Sequence, residues 1–590
     1  MIDDLNFRIK KSLNIFSNSI VYTENICVNY KNLYNYLLQI KKYIIDSHTV
    51  IFSLCDRNIE SVVSLLFSLV FDKTFYPINP NLTEKEINES ISSISGVVIT
   101  DSVNSERINN FVFDNNVSSI IELNIHDFTV KNKNLTDQLI ENSNKITKSR
   151  YIYCTSGSTG KRKLVLGNGY SLQDFLDWEI NTFNITDKDS FINITRPFFD
   201  PYLRDILVPI LTGSDIFIPS EQSFFNTEKL STYISDYNIS LMHTIPTIFK
   251  NLINKKKFLE SSLRFVFLAG EPLYSKNIKF FYNSNKNGCK VVNLYGPTET
   301  TLAKFYKIVD KSCLNGSIVP VGKPISHKLN SFATINYETD MSIKEKSGEI
   351  VIHTEAASFG YLDAQMNKDS FFEKDGLCCF NTKDRGYIDE NKNLVIVGRM
   401  DEIIKYNGEK INLNEISGHI SHNENILNCC VINTVEKYNN ILVAAVILNH
   451  NSNESIDNVR LQTNEYLHLN NVSVVPSIYI AFDEFPQLPN GKIDKTTLEE
   501  KIKMKLKKHT SPLFYDLEFN DVIEIIRDCT GGNVYNKWSL NDKLIDMGVD
   551  SLSMINIIIS LEDKFNVNID ESSIDLDQLM LQDILKMVKR

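Results

Sequence analysis

Residues 151–163 read YIYCTSGSTGKRK, and no other stretch of the chain says more about its architecture. The apolar and aromatic start predicts a buried strand, and the small, hydroxyl-rich continuation predicts a loop. Gly157 and Gly160 let backbone N–H groups turn inward, neighbouring hydroxyl groups add donors, and three cations follow. Loops of this kind hold phosphate oxygens. The stretch therefore predicts a phosphate site after a strand, with an ordinary surface loop as the simpler alternative.

Length and charge limit the classes of protein that the chain can represent. It has 590 residues, enough for about three or four domains or subdomains. The hydrophobic fraction of 42% and charged fraction of 23% are those of an ordinary globular protein. A formal net charge of −11 argues against a nucleic-acid partner. A local basic pocket for an anionic ligand remains compatible with that charge.

The cysteines and the apolar runs indicate the cellular compartment in which the protein is expected. Ten cysteines are scattered without the spacing of a zinc site, and the adjacent pairs Cys378–Cys379 and Cys429–Cys430 suit disulfides badly. The N-terminal residues are too polar for a signal peptide. No apolar run reaches the ~20 residues of a membrane helix. We therefore expect reduced thiols, a cytoplasmic protein and no membrane partner.

Short β-rich runs alternate with helical patterns over the first two thirds of the chain. The runs that end in small or polar residues are TVIFSLCD (49–56), GVVITD (96–101), LRFVFLAGE (263–271) and CKVVNLYG (289–296). This pattern is typical of parallel strands with crossover helices. Ligands of such sheets bind beyond the carboxyl ends of the strands. The segments LAGE and LYGPTE are therefore expected to line a site.

Two further regions follow this alternating part. We predict divisions at 1–399, 400–505, 506–515 and 516–590, the third of which is a linker that overlaps the basic stretch KIKMKLKKHTSP (501–512). The last region contains an amphipathic pattern that starts at Asp550–Ser551 and predicts a helix in a small bundle. In isolation, Ser551 is expected to be an N-cap.

Ordered motifs along the chain resemble those of a known family. TSGSTG resembles the phosphate loop of the adenylate-forming superfamily. Further motifs that match in order are YPINP (76–80), NLYGPTETT (293–301), GEIVI (348–352), FNTKDRGYI (380–388), GRMDEIIKYNG (398–408), LPNGKIDK (488–495) and GVDSL (548–552). Together the motifs resemble an adenylation domain of a nonribosomal peptide synthetase fused to a peptidyl carrier domain.

The resemblance implies a fold and an activity. The implied fold class is α/β: a large core of parallel sheets and helices with a small β-barrel-like part, a small α+β subdomain, and a four-helix-bundle carrier. The implied enzyme is an amino-acid adenylating ligase that uses ATP and Mg²⁺ and carries 4′-phosphopantetheine on Ser551. The implied partners are an amino-acid substrate, a phosphopantetheinyl transferase, and a downstream synthetase or tailoring enzyme that accepts the loaded carrier.

The resemblance also assigns site residues. The implied catalytic residues are Lys492, which bridges carboxylate and phosphate, Glu299, which holds Mg²⁺, and Thr155. Asp401 is the implied hinge. The implied residues for ATP are Thr155, Ser156, Ser158, Thr159, Lys163, Tyr295, Thr298, Asp384 and Arg399. Without the family context, Lys492 beside Asn-Gly reads as a turn lysine, and Asp384 and Arg399 as a surface ion pair.

Three positions depart from the family pattern. Lys383 stands where the family has glycine before the ribose-binding aspartate, so the backbone there is expected to differ. Leu164 closes the phosphate loop where glycine is common, and Asn407 stands where arginine is common.

The stretch RPFFDPYLRDILVPILTG (196–213) bears on the substrate. Asp200 aligns with the aspartate that pairs with an α-ammonium group. Other positions of the implied pocket are Pro201, Arg204, His243, Phe267, Ala269, Leu294, Leu302 and Ala303. The DPxxRD pattern resembles that of α-aminoadipate reductases, and a buried cation needs an anion or acceptor. We therefore expect a polar or dicarboxylic amino acid, such as α-aminoadipate or glutamate. The alternative is that Asp205 neutralises Arg204 in a mainly apolar pocket.

Two other functions stay open from the sequence. An acyl- or aryl-CoA ligase would use the same ATP chemistry, although Asp200 and the carrier motif argue against it. A degenerate, non-catalytic adenylation scaffold is the second alternative, against which stand Glu299, Asp384, Arg399 and Lys492.

Overall fold

The chain divides into two compact units. The first comprises Met1–Glu424 and Gln487–Ile493, and the second comprises Asn425–Pro486 and Asp494–Arg590. The computed structural model describes the chain apart from residues 1–4, 45–48, 114–115, 136–141, 143–145, 147, 157–161, 225, 286, 315–317, 338–346, 401–402, 407–408, 424, 437–438, 450–453, 470–471, 473, 477, 489–490, 509–520, 527–528, 530–542, 545–548, 550, 566, 568, 570–578 and 589–590. The predicted divisions at 399, 505 and 515 stay predictions.

A seven-stranded sheet in the first unit has the order β7-β6-β5-β3-β4-β8-β9. The neighbours from β6 to β8 are parallel, and the two outermost pairs are antiparallel. Every residue of β3 and β5 is buried, which explains their continuous apolar runs. The strands are β3 (Val50–Leu54), β4 (Thr74–Pro77), β5 (Gly96–Asp101), β6 (Val117–Asn124), β7 (Thr129–Asn134), β8 (Tyr151–Ser156) and β9 (Arg162–Gly167).

A nine-stranded sheet in the same unit has the order β16-β15-β14-β13-β12-β10-β11-β1-β2. Its strands from β14 to β1 are parallel, and antiparallel strands close both edges. The strands are β1 (Ile20–Tyr22), β2 (Cys27–Asn29), β10 (Ser190–Ile192), β11 (Asp215–Phe217), β12 (Leu241–Thr244), β13 (Phe265–Leu268), β14 (Lys290–Tyr295), β15 (Phe305–Ile308) and β16 (Lys323–Pro324).

Helices join these strands, as parallel connections require. One hydrophobic cluster includes residues of both sheets and of α1, α2, α3 and α7, so these helices pack between the sheets. The helices are α1 (Leu5–Ile15), α2 (Tyr30–Ile40), α3 (Ile59–Val70), α4 (Glu84–Ile91), α5 (Ser105–Asn109), α6 (Gly169–Thr182), α7 (Tyr202–Thr212), α8 (Glu221–Phe224), α9 (Thr227–Asp236), α10 (Pro246–Leu252), α11 (Lys256–Leu259) and α12 (Ser275–Ser284). Short 3₁₀ turns occupy Thr298–Thr300 and Lys311–Leu314.

The first unit also contains a five-stranded antiparallel sheet, whereas the resemblance implies a small β-barrel-like part of the large core. Its order is β17-β18-β20-β19, and β21 pairs with β20. The elements are β17 (Ser331–Asn336), β18 (Gly348–Thr354), α13 (Ala364–Ser370), β19 (Phe371–Lys374), β20 (Leu377–Ile388) and β21 (Leu394–Arg399). A hairpin of β22 (Ile403–Tyr406) and β23 (Glu409–Asn412) follows in the chain, and α14 (Leu413–Ile420) comes next.

The second unit contains a three-stranded sheet and a helical part. The sheet consists of β24 (Ile426–Glu436), β25 (Asn439–Leu448) and β26 (Ile478–Ala481), with α15 (Ile456–Leu469) and α16 (Lys495–Lys508). Residues 506–508 of the predicted linker lie in α16, where Ile502 and Leu506 are buried. The helical part contains α17 (Ser551–Phe565), α18 (Leu581–Met587) and helical residues 521–526 around a common apolar core.

No helix among the described residues is both long enough and apolar enough to cross a bilayer.

Candidate active site

The predicted phosphate loop joins two paired strands. β8 and β9 are antiparallel, with Thr155 opposite Lys163 and Ser156 opposite Arg162. The loop between them, which includes Ser158 and Thr159, lies outside the described residues. Thr155 and Lys163 are therefore placed at the base of a hairpin, and the predicted contacts of the loop itself stay predictions.

Glu299 lies in the 3₁₀ turn after β14 and is 8% exposed. Its Oε1 accepts hydrogen bonds from the hydroxyl of Tyr361 at 2.7 Å and from Oγ1 of Thr155 at 3.5 Å. The segment around Tyr361 pairs with β9 through backbone hydrogen bonds between Phe359 and Leu166 and between Leu362 and Leu164. The structure thus joins the phosphate-loop hairpin to the predicted metal ligand, and it adds Tyr361, which the sequence analysis did not find.

Tyr361 also contacts the loop base. The ammonium group of Lys163 lies 5.1 Å from the centroid of its ring. Burial and the adjacent Glu299 carboxylate raise the pKa of the Tyr361 phenol, so the hydroxyl stays a donor at neutral pH.

Tyr295 and Asp384 form the next part of the site. The hydroxyl of Tyr295, the last residue of β14, donates to Oδ2 of Asp384 at 2.6 Å. Asp384 in β20 stands opposite Arg399 in β21, whose Nη1 lies 3.5 Å from Oδ1 of Asp384. The end of β14, which carries the motif LYGPTE, therefore contacts the part of β20 that carries the motif FNTKDRGYI.

Lys383 adopts a backbone conformation that is unusual for a lysine. Its φ of 59° lies in the left-handed region that the glycine of the family pattern would adopt without strain. The backbone N–H of Lys383 bonds to Glu349 at 3.2 Å, and that of Asp384 bonds to Oγ1 of Thr382 at 3.0 Å. These contacts accompany a backbone conformation that is strained for a lysine.

The predicted amino-acid pocket is assembled from the ends of neighbouring elements. Asp200 and Pro201 precede α7, which carries Arg204, and Phe267 in β13 stands opposite His243 in β12. Phe267, Leu294, Leu302 and Ala303 belong to one buried cluster, and Ala269 packs against it. The structure thus places these predicted residues in or against the same hydrophobic core.

Asp200 is the partly exposed acid of this pocket. Burial raises the pKa of its carboxyl to about 6, while a hydrogen bond from Thr298 and the positive charge of Arg204 act in the opposite direction. The negative charge of Glu299 adds to the increase. Thr298 and Arg204 are therefore close neighbours of Asp200.

His243 contacts two carboxylates in the pocket. Its Nε2 lies 2.8 Å from Oε1 of Glu179, and its Nδ1 lies 3.1 Å from Oδ1 of Asp205. The same oxygen of Asp205 lies 3.7 Å from Nε of Arg204. All four residues are at least 97% buried, so they form one enclosed charge cluster.

Glu179 is the second residue that the sequence analysis did not find. It belongs to α6, where Leu172, Phe175, Leu176 and Glu179 are all buried. These positions follow the i, i+3, i+4, i+7 spacing of one helix face. A carboxylate at an apolar position of that face was a signal that could have pointed to it.

Lys492 lies in the short segment of the first unit that follows Gln487. A Cβ on Gly270 would approach the Cε and Nζ atoms of Lys492 to 3.4 Å, so the ammonium group lies against the end of β13. The turn is closed by hydrogen bonds between Leu488 and Lys492, and between Gly491 and Leu488, each 2.8 Å long. Lys492 is thus placed beside the segment LAGE.

Two further predicted residues are Asp401 and Ser551. Asp401, the predicted hinge, lies outside the described residues. Ser551 is the first residue of α17 in the second unit, so the helix begins where the sequence predicts it.

Comparisons with known proteins identify families that the chain resembles. A model of the AMP-binding enzyme family matches residues 19–362, and a model of the phosphopantetheine attachment site matches residues 534–587. Gramicidin S synthase 2 of Brevibacillus brevis is 24% identical over 567 residues, which cover 93% of this chain and 12% of that protein. Bacitracin synthase 2 of Bacillus licheniformis is 24% identical over 77% of this chain and 17% of its own length. This chain therefore spans less than a fifth of either relative.

A shorter relative and two solved structures match more evenly. Zwittermicin A synthase ZmaJ of Bacillus cereus is 26% identical over 76% of this chain and 85% of its own length. McyG A-PCP complexed with phenylalanyl-adenylate has a TM-score of 0.66 at 16% identity, covering 98% of both chains. Holo-AB3403, a four domain nonribosomal peptide synthetase bound to AMP and glycine, has a TM-score of 0.70 at 18% identity, covering 99% of this chain and 42% of its own.

These structural likenesses confirm the predicted fold class, an α/β adenylate-forming core followed by a carrier domain. The AMP-binding model alone covers more than half of the residues. Tyr295 and Glu299 lie within the residues that it matches, and Asp384 lies beyond them in the same compact unit. By these observations, the chain belongs to the family of AMP-binding enzymes.

Proposed function

We propose that this chain activates an amino acid with ATP and transfers it to a carrier arm on Ser551. A carboxylate oxygen of the amino acid attacks the α-phosphorus of ATP, the bond between that phosphorus and the oxygen bridging to the β-phosphate breaks, and pyrophosphate leaves. The product is an aminoacyl-AMP. The observations that carry this proposal are the hydrogen bond from Tyr295 to Asp384 and the hydrogen bond that joins Glu299 to Thr155 at the base of the phosphate-loop hairpin.

The nucleotide-binding roles follow from the chemistry of these side chains. The ring of Tyr295 offers a face for the adenine base, and the carboxylate of Asp384 can accept hydrogen bonds from both ribose hydroxyls. Arg399, within 3.5 Å of that carboxylate, adds positive charge at the same place. Thr155 and Lys163 stand at the base of the loop proposed for the phosphates.

Glu299 fits Mg²⁺ because a carboxylate is a hard oxygen ligand and because this ion usually takes one or two carboxylates together with substrate phosphates. When bound, the ion would supply positive charge that neutralises the phosphate oxygens. Tyr361 and Thr155 hold the same carboxylate oxygen by hydrogen bonds, which fixes its orientation. Lys492, at the end of β13, is the proposed point charge between the substrate carboxylate and the α-phosphate.

Ser551 fits phosphopantetheine because its hydroxyl can form a phosphodiester and its surroundings match the attachment-site model. The bound arm would supply a thiol that accepts the aminoacyl group as AMP leaves. Attachment requires a phosphopantetheinyl transferase, and the loaded carrier requires a downstream synthetase or tailoring enzyme to use it.

We further propose that the substrate is an amino acid with an acidic or strongly polar side chain, such as α-aminoadipate or glutamate. Asp200 would pair with its α-ammonium group. Arg204 is 3% exposed and its Nε makes no hydrogen bond within the described part of the chain, which favours an acceptor on the substrate. Asp205, 3.7 Å from Nε, leaves the outer nitrogens of Arg204 available for a bidentate contact.

Amino-acid-dependent ATP–pyrophosphate exchange tests this function. The wild-type protein should exchange pyrophosphate with L-glutamate or L-2-aminoadipate, and Arg204→Ala should lose most of that activity. Arg264→Ala, which breaks a more exposed ion pair with Asp189, is the matched control and should change little. Unchanged exchange of dicarboxylic amino acids by Arg204→Ala would contradict the substrate proposal.

A further inference from the structure

Glu179 is a carboxylate with no exposed surface at the edge of the proposed amino-acid pocket. Its Oε1 contacts Nε2 of His243 at 2.8 Å, and its Oε2 makes no hydrogen bond within the described residues. A buried carboxylate costs folding free energy unless it is paired, and pairs of this kind seldom add net stability over apolar residues. Stability alone therefore gives a weak reason for Glu179 at this position.

Both ring nitrogens of His243 face carboxylate oxygens, Glu179 on one side and Asp205 on the other. Nε2 is hydrogen-bonded to Glu179 and Nδ1 lies within ion-pair distance of Asp205, and two adjacent carboxylates favour the doubly protonated imidazolium. Burial by itself lowers the pKa of His243, but Glu179 and Asp205 overcome that effect and raise the pKa above its usual value. The titratable or charged groups that face the ring are Glu179 from α6 and Asp205 and Arg204 from α7.

His243 has no free polar atom for a substrate. Its nitrogens are taken by the two carboxylates, and its ring stacks on Phe267 with centroids 4.5 Å apart and on Phe191 with centroids 6.3 Å apart. Of the two basic residues in the predicted pocket, only Arg204 is therefore left to contact the amino acid.

The four charges alternate along the cluster. Glu179 is negative, His243 positive, Asp205 negative and Arg204 positive, so the sum is zero and the positive end is Arg204. Oδ1 of Asp205 lies 3.1 Å from Nδ1 of His243, and Oδ2 accepts a hydrogen bond from Asn193 at 3.4 Å. These contacts set the position of the carboxylate next to Nε of Arg204. Removing Glu179 would favour a neutral His243, which no longer holds Asp205 by a charged contact.

We propose that Glu179 is a positioning residue for amino-acid recognition: through His243 and Asp205 it holds Arg204 so that the guanidinium meets an acceptor group on the substrate side chain. This inference rests on the proposed function and deepens it by naming a residue outside the pocket wall. It assigns the recognition of a side-chain carboxylate or similar acceptor to Arg204, and the maintenance of that contact to Glu179.

The kinetic test compares Glu179→Gln with the wild type in pyrophosphate exchange. The probes are L-glutamate and L-2-aminoadipate, with L-glutamine and L-norleucine as neutral counterparts. The variant should raise KM for the acidic probe about tenfold or more, with kcat and the KM for ATP changed much less. Glu179→Asp should restore part of the difference. The matched control is Glu60→Gln, which alters a buried carboxylate of α3 that accepts a hydrogen bond from the backbone of Ile125. It should leave unchanged the KM ratio, which is the KM for the acidic probe divided by the KM for its neutral counterpart.

The second test needs no substrate. Histidine side-chain ¹⁵N spectra of the full chain, with His243→Gln for assignment, should show wild-type His243 doubly protonated above pH 6.5, and Glu179→Gln should move its titration to lower pH. A neutral wild-type His243 at pH 6.5 would overturn the proposal, as would an unchanged KM ratio in a folded Glu179→Gln variant. If wild-type protein exchanges pyrophosphate with no amino acid, the proposed function fails, whereas the spectra still report whether the Glu179 contact exists.

Discussion

The hydroxyl of Tyr361 lies 2.7 Å from Oε1 of Glu299, so a residue 62 positions further along the chain holds the proposed metal ligand. The contact is buried and joins the 3₁₀ turn after β14 to the segment that pairs with β9. Groups that orient a metal ligand in this way commonly change metal affinity by about 10- to 100-fold.

Tyr361→Phe removes this donor while keeping the ring. We expect the Mg²⁺ concentration that gives half-maximal pyrophosphate exchange to rise about tenfold, because the Glu299 carboxylate loses its fixed orientation. Tyr337→Phe, at a tyrosine that is 59% exposed, serves as the control. An unchanged Mg²⁺ dependence in Tyr361→Phe would show that the hydroxyl does not support the ligand.

The carboxyl of Asp200 predicts a pH dependence. Burial raises its pKa to about 6, so the group loses its negative charge as the pH falls through that value. Because the charged form pairs with the α-ammonium group, kcat/KM for the amino acid should fall at pH below about 6. Asp200→Asn should lower kcat/KM about 100-fold and remove this acidic limb.

Asp187→Asn, at an exposed acid of the same unit, is the control for the Asp200 profile and should keep the acidic limb. A wild-type kcat/KM that stays level from pH 7 to pH 5 would contradict the proposed pairing.

Lys383 predicts a stabilising substitution. Its φ of 59° costs a lysine about 1 kcal/mol that a glycine does not incur, so Lys383→Gly should raise the free energy of unfolding by about that amount. Lys374→Gly, which replaces the last residue of β19 and is not among the residues with positive φ, should instead lower stability. Denaturant unfolding of the two variants gives the comparison, and a loss of stability in Lys383→Gly would show that its side chain matters more than the strain.

Gly296 predicts the opposite effect. A Cβ there would lie 2.3 Å from the carbonyl oxygen of Leu302 and 2.7 Å from Cα of Ala303, and backbone atoms cannot move aside as a flexible side chain can. Gly296→Ala should destabilise the fold by about 1–3 kcal/mol and reduce exchange by displacing the turn that carries Glu299. In Gly169→Ala the new Cβ meets the side chain of Arg150, which can move, so stability should change less. Equal stability of the two variants would contradict the tight loop.

The sequence predicted the parallel strands and the ends at which the site forms. The runs Val50–Leu54 and Gly96–Asp101 are fully buried strands, as their continuous apolar character indicates. Tyr295 and Asp384 could be named because their motifs surround them in a recognisable order. The left-handed conformation of Lys383 was not predictable from propensity, since the turn imposes it on a residue that disfavours it.

The contacts that complete the site could not be predicted, because they join residues that are distant in the chain. Glu179 and His243 are 64 positions apart, and nothing in either local pattern states that they touch. The helical pattern places Glu179 at a position of the apolar face of α6, which indicates that it is buried. Its partner depends on how α6 packs against β12.

The central claim is that this chain forms an aminoacyl-AMP and passes the acyl group to an arm on Ser551. Intact-mass measurement of protein carrying phosphopantetheine, incubated with ATP, Mg²⁺ and pools of amino acids, tests it most directly. We expect release of pyrophosphate and a mass increase of one aminoacyl group, with no such increase in Ser551→Ala. No pyrophosphate and no added mass with any amino acid would contradict the account.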